Sequence, residues 1–279
     1  MKALFILLLI SLTTFADSAK ERIISLAPSI TDTLYTLGLE DRLVGVTDYC
    51  PQPKSGKKLS SVGSMNPPLE AMINLRPDLV ITMHTDKRTI DQLRKAQIET
   101  LTIDNSSLDK IFQTYLDIGK RCGAEKQALE LNKDTKITFA ELAKKHSKNK
   151  TIRSLVVISR LSSSPGKIAP WIAGKNSFYG EILAKLNSPS VAVGEQTFYQ
   201  MSTEELLKSN PEAIIVLSPK PLSLKEQKSE IKAWSKLPHL KAVNNKKIYF
   251  IGNSHVMIPG PKLKVTMQDL SDTLEKARK

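Results

Sequence analysis

The chain has 279 residues, 41% of them hydrophobic and 25% charged, with 12 Gly and 15 Pro. That length exceeds one ordinary hydrophobic core and predicts two lobes, and the composition excludes a disordered, collagenous or coiled-coil protein. Only two cysteines, Cys50 and Cys122, exclude a disulfide framework and a four-cysteine zinc site, and a net charge of +13 carried by scattered lysines lacks the basic stripe of a nucleic-acid binder.

Residues 1–19 read as a secretory signal peptide. Lys2 is the positive start, Ala3 to Leu12 the apolar segment, and Thr13 to Ala19 a small, polar exit with cleavage after Ser18 or Ala19. The apolar segment is too short to span a bilayer. No cysteine lies near the cleavage point, which argues against an acylated anchor, so an exported, soluble protein is expected.

From there strands and helices alternate. Arg22 to Leu26 is a short apolar strand, Ile30 to Leu37 a helix ending at Gly38, and Leu43 to Val46 a second strand. Pro67-Pro68 opens a helix through Leu75, followed by strand Asp78–Thr82, helix Thr89–Ala96 and strand Thr100–Asp104. Ala124 to Lys148 has neither Pro nor Gly and predicts one long helix, roughly 36 Å at 1.5 Å per residue, enough to strut two lobes. A second series follows, with strands at Ser154–Ile158, Ala213–Leu217 and Lys247–Ile251. Its helices are Ser177–Leu186, Thr203–Lys208, Lys225–Lys236 and Asp269–Lys276. The expected fold is α/β, two Rossmann-like lobes with central parallel sheets. Its parts are an N-terminal lobe over 20–122, a connecting helix over 123–149 and a C-terminal lobe over 150–279.

An internal repeat supports that division. Leu69 to Ile81 lines up with Thr203 to Ile215, carrying Pro77 onto Pro211, Asp78 onto Glu212 and Glu70 onto Glu204 at one offset of 134 residues. Ser202 and Glu205 form a capping box, which leaves Glu204 free to point outward. Glu70 stands equally early in its own helix. Two carboxylates on separate lobes cannot work as an acid–base pair, but they can grip the arginines of one partner.

Catalytic signatures are missing. Gly252-Asn-Ser254-His-Val256 has Val where a nucleophile elbow needs Gly, so an exported hydrolase using Ser254 and His255 is a remote alternative. His146 and His239 read as surface residues. Tyr49, His84, Arg160 and His255 each follow the carboxyl end of an apolar strand, where doubly wound sheets bind ligands. Trp171 lies in the loop before Gly174. Together these groups predict one shared cleft.

Glu21-Arg-Ile-Ile-Ser-Leu-Ala-Pro-Ser-Ile-Thr-Asp, Val44-Gly-Val-Thr-Asp-Tyr-Cys50, Asn66-Pro-Pro-Leu-Glu70, Leu75-Arg-Pro-Asp-Leu-Val-Ile81, Met201-Ser-Thr-Glu204 and Pro259-Gly-Pro-Lys-Leu263 resemble the cobalamin-binding periplasmic proteins of ABC importers. These belong to the class III substrate-binding proteins, the helical-backbone metal receptors, which also carry ferric siderophores and haem. The resemblance implies two lobes joined by a long helix, a ligand between them, little lobe closure, and a monomer in the periplasm with no cofactor of its own. It further implies that Glu70 and Glu204 dock onto the permease of a permease–ATPase complex, that Tyr49 contacts the ligand, and that Asn253, Ser254, His255, Val256 and Met257 form the strand-end loop against a corrin. Departures are Thr31-Asp32 for Thr-Glu, no aromatic near Gly63-Ser-Met65, and His255 in place of a ring. His84 and His255 could instead approach the metal of haem or a ferric chelate. Export also permits a Cys50–Cys122 disulfide, which the spacing leaves open.

Overall fold

The computed structural model describes residues 21–159 and 168–279. The expected signal peptide and Arg160 lie outside the described residues. The first lobe is built on β1 (Ile23–Ser25), α1 (Pro28–Thr36), β2 (Leu43–Val46), β3 (Ser60–Ser61), α2 (Leu69–Ile73), β4 (Leu79–Met83), α3 (Lys87–Lys95) and β5 (Thr100–Ile103). Its five strands run parallel in the order β3-β2-β1-β4-β5. The central strands are apolar runs buried on both faces, as a parallel sheet covered by helices requires.

Two helices follow, α4 (Leu108–Arg121) and α5 (Glu125–His146). The chain breaks between them at Gly123, whose φ of +68° lies in the left-handed region that glycine adopts at least cost. The long helix is therefore present, about 33 Å at 1.5 Å per residue, and packs against α4 and the last helix. Ala124 and Ala128 join the core of the first lobe and Leu142 that of the second, with Leu131 against both. The first half of α4 (Leu108, Ile111, Phe112, Tyr115) also belongs to the second lobe's core.

The second lobe comprises β6 (Ser154–Val157), β7 (Trp171–Ala173), α6 (Phe178–Lys185), β8 (Phe198–Gln200), α7 (Thr203–Ser209), β9 (Ala213–Ser218), α8 (Leu224–Trp234), α9 (Lys241–Asn244), β10 (Ile248–Gly252) and α10 (Leu263–Arg278). Its sheet has the order β10-β9-β6-β7-β8. Here expectation and structure differ: β7 runs antiparallel to β6 and β8 antiparallel to β7, so this edge is mixed. These strands are three residues long, too short for an alternation to show in sequence.

The repeat extends deeper than sequence alignment reveals. Arg76 (φ 45°) and Asn210 (φ 42°) both adopt the left-handed conformation just before Pro77 and Pro211. Asp78 Oδ2 accepts the backbone N–H of Arg22 at 2.8 Å, and Glu212 Oε2 accepts that of Arg153 at 2.9 Å. Each of those arginines then donates from its guanidinium to a helix-end carbonyl, Leu75 in one lobe and Ser209 in the other. Duplicated helix–strand junctions thus hold the two central strands, β1 and β6, against their neighbours.

Two expectations are settled among the described residues. Cys50 and Cys122 are free and buried, and burial pushes the Cys122 thiol up to about 11. His146 is not a surface residue: it is fully buried, wedged between Ser271 and Arg278 at the join of α5 and α10. Its lysine-rich surroundings in sequence conceal that it is the last inward position of a long helix.

Candidate functional site

The carboxyl ends of β4, β5 and β6 face one cavity of about 320 Å³ between the lobes. From the first lobe it is lined by Met83 at the end of β4, by His84 and Thr85 after it, and by Asp104, Asn105 and Ser106 after β5. From the second it is lined by Ile158, Phe178, Tyr179, Thr197, Phe198, Met257 and Pro259. The volume lies near the lower end of ligand sites, roughly 300–1,000 Å³.

The two walls differ in chemistry. On the first lobe, His84 Nδ1 lies 3.2 Å from the carbonyl of Ile103. A carbonyl can only accept, so Nδ1 carries a proton, and in the neutral ring Nε2 is the lone-pair acceptor, with no partner among the described residues. Asp104 Oδ1 stands 3.7 Å from the same Nδ1 and accepts the Ser106 N–H at 2.9 Å. Burial works against its charge, but the Ser106 bonds, His84 and Lys110 outweigh it and hold this carboxyl below the usual range. Asn105, 5% exposed, donates from Nδ2 to Ser29 Oγ at 3.1 Å, while its Oδ1 has no partner.

The second wall is aromatic. Ser177 caps α6, accepting the Gly180 N–H, and so fixes the two rings that begin the helix. Phe178 and Tyr179 meet with centroids 4.0 Å apart and their planes tilted by 33°, and Phe198 meets each edge-on at 6.3 and 6.2 Å. The Tyr179 hydroxyl donates to the Val256 carbonyl, tying α6 to the loop after β10, and burial raises its pKa. The lobes are bonded beneath the cavity: Phe178 N–H donates to the Ser106 carbonyl at 3.2 Å and Leu108 N–H to Glu181 Oε2 at 2.9 Å. Lys262 Nζ reaches Asp32 Oδ2 at 3.4 Å, a further link between them.

Of the residues singled out in sequence, His84 and Met257 line this cavity. Trp171 is 48% exposed, and its carbonyl accepts the N–H of Ile158, so it stands beside a lining residue without lining. Tyr49 is 63% exposed at the end of β2, outside the lining. Asn253 and Ser254 are exposed, and Val256 is buried in the core. His255 turns inward: Nε2 meets Asp269 Oδ2 of α10 at 2.6 Å, with 8% of the residue exposed. The short helical turn Ser254–Met257 causes this, because it carries the consecutive side chains of His255 and Val256 inward. His84 and His255 therefore do not share a site, and no group of three or more His, Cys, Asp or Glu is placed to hold a metal among the described residues. Ser254 Oγ bonds Asn253 rather than His255, which removes the hydrolase pairing. Asp104 and Asn105 escaped the sequence reading although they fit its own rule, one ending the expected strand Thr100–Asp104 and the other directly following it. Phe198 could not be found, because β8 left no signal.

Glu70 and Glu204 are exposed in the first turns of α2 and α7 and make no ion pair among the described residues. Glu205 instead closes the capping box with Ser202, as expected. No helix among the described residues is long and apolar enough to cross a membrane.

The sequence matches the profile of the periplasmic binding protein family over residues 23–254. It is 30% identical over 259 residues, 91% of this chain and 80% of the other, to an uncharacterized ABC transporter substrate-binding lipoprotein of Bacillus subtilis. It is 26% identical over 215 residues, 76% of this chain and 74% of the other, to a vitamin B12-binding protein of Yersinia pseudotuberculosis. A possible iron-binding periplasmic solute-binding protein from Staphylococcus epidermidis has a similar structure, with a TM-score of 0.76 at 28% identity, covering 92% of this chain and 99% of that one. The periplasmic vitamin B12-binding protein of Vibrio cholerae shares the fold, with a TM-score of 0.76 at 23% identity over 93% of this chain and 98% of that one.

Proposed function

The chain belongs to the periplasmic binding protein family, whose members are extracytoplasmic substrate-binding proteins of ABC importers and not enzymes, and on that premise we propose that it captures a large metal-containing ligand, a cobalamin-like corrinoid, between its lobes. The observation that carries this reading is the cleft itself, where an aromatic wall faces a polar wall across the strand ends of both lobes. Apolar and aromatic lining with a few fixed polar groups suits one edge of a large, flat ligand, the rest of which would project past the half-exposed Trp171. Tyr49 would extend the contact at the rim of the first lobe.

His84 favours a metal-bearing ligand in particular. An imidazole whose Nδ1–H is held by a carbonyl, with a carboxylate close by, presents Nε2 in the orientation that suits metal coordination. The same feature supports a second reading, haem, whose iron an imidazole would also ligate; a ferric chelate is the third. Capture would involve no covalent step. Delivery would follow when Glu70 and Glu204, one on each lobe, meet permease arginines, with the permease bound in turn to its ATPase. Export would use the cleavable leader of residues 1–19.

Titration of the purified protein with cyanocobalamin, haemin and ferric chelates, followed by absorption and calorimetry, tests the reading. The expected result is saturable one-to-one binding of a corrinoid, weakened at least about tenfold, or ~1.4 kcal/mol, by His84→Ala. Absence of binding to every one of these probes would overturn it.

A further inference from the structure

Among the described residues the polar wall of the cleft carries acceptors, with the Lys110 charge acting on Asp104 from outside the lining. Among the described lining residues the single formal charge is Asp104, and no Lys or Arg is present, in a chain whose net charge is +13. Two groups on this wall can accept from a ligand's hydrogen-bond donor: the Asp104 carboxylate and, in the neutral ring, Nε2 of His84. A buried acceptor left unpaired is costly, and it is relieved only by an N–H or O–H. Thr85, Ser106 and Thr197 can turn their hydroxyls either way and impose no preference. A carboxylate or catecholate brought to this wall would meet Asp104 as a like charge, in a partly desolvated place where repulsion is weakly screened.

We propose that this wall selects the ligand by the chemistry of its edge, admitting a chelate edged with hydrogen-bond donors, primary carboxamides above all, and discriminating against one edged with carboxylates or catecholates. The inference rests on the reading of the cleft as a chelate site. Asp104 is its specificity-determining residue. The aromatic wall opposite, where Phe198 is the exposed ring, makes no such distinction.

The experiment uses matched pairs in which only the edge changes: cyanocobalamin against its positional monocarboxylic acids, each with one carboxamide hydrolysed, and iron protoporphyrin dimethyl ester against the free diacid. Titrated at neutral pH, the ester should bind more tightly than the diacid, and at least one monocarboxylic acid should bind about tenfold more weakly than cyanocobalamin, the scale of one lost donor and one added like charge. Asp104→Asn keeps the oxygen that accepts from Ser106 N–H, so the turn should stand and the melting temperature hold. It should reduce the discrimination within each pair to less than about threefold. If every acid binds as tightly as its neutral counterpart, or if Asp104→Asn leaves the ratios unchanged, the selectivity inference is wrong while chelate capture survives. If no member of either pair binds, chelate capture falls and takes this inference with it.

Discussion

Acidification through the range where a free imidazole takes up its proton should weaken the join between α5 and α10. His146 ends α5 fully buried. Arg278 Nη1 donates to its Nδ1 at 2.6 Å, and its Nε2 lies 2.8 Å from Ser271 Oγ. A guanidinium has no acceptor, so Nδ1 must accept and Nε2 must carry the proton. A second proton would set N–H against N–H and place two cations together in the core. Burial first, and Arg278 next, hold this imidazole below its ordinary value of 6.5. Between the two values the unfolded chain binds a proton that the folded one refuses. The contribution of His146 is therefore whole above the unfolded value and declines as pH falls below it, by up to about 1.4 kcal/mol per pH unit until the folded value is reached. The assay is urea unfolding from about pH 8 to about pH 5, comparing the wild type with His146→Gln. Glutamine can accept from Arg278 and donate to Ser271 without titrating. The variant should be about 1–3 kcal/mol less stable at the alkaline end, and the gap should close toward acid. Curves that stay parallel across the range would refute the reasoning, because the remaining titrating groups are common to both proteins.

Two further outcomes follow from other parts of the molecule. Replacing both Glu70 and Glu204 with alanine should remove only about 0.3–1 kcal/mol per helix and leave ligand affinity unchanged, yet abolish uptake by a reconstituted importer. Normal uptake would return both to the standing of solvated helix-start acids. Gly180→Ala should lower stability by about 1–3 kcal/mol, because its Cβ would lie 2.3 Å from the Lys175 carbonyl oxygen and 2.6 Å from that of Gly174. An unchanged melting temperature would show that this turn yields.

Much of the architecture was readable because parallel strands write long apolar runs. Ala213–Ser218 is buried at every position, and such a segment bounded by Pro and Ser has few other interpretations. The helix break at Gly123 was harder, since nothing distinguishes a left-handed glycine from a tolerated one except the geometry around it. β7 and β8 were invisible, because three residues cannot display a period. The site was legible in part for a related reason. The rule that ligands lie beyond strand ends identifies loops, and it marked the turn after β4, which lines the cavity. It does not say which way a side chain points, and the turn of helix at Ser254–Met257 sends His255 into the core while leaving Met257 at the cleft. His146 was misjudged for the opposite reason: its neighbours Lys144 and Lys145 are exposed, but the helical period carries the next residue inward.

The lobes share their helix–strand junctions and differ at the cleft. The junctions around Asp78 and Glu212 have kept even their left-handed residue and their arginine bonds, since each fixes a central strand and any change would shift a sheet. The same junctions begin with the helices that display Glu70 and Glu204, so two equally placed carboxylates come with the fold. The walls of the cavity are under no such constraint. One lobe keeps short polar turns after β4 and β5, and the other adds the β7–β8 edge and the rings of α6. A ligand between them therefore meets two unlike surfaces, one offering stacking and one offering acceptors. Hydrogen bonds cross beneath the cavity at Ser106 and Leu108, so the two surfaces are already held in place before anything binds. Preorganisation of that kind lowers the cost of ordering the site. It would also fix a bound ligand's orientation relative to the two helix starts, because both are anchored to the same pair of sheets.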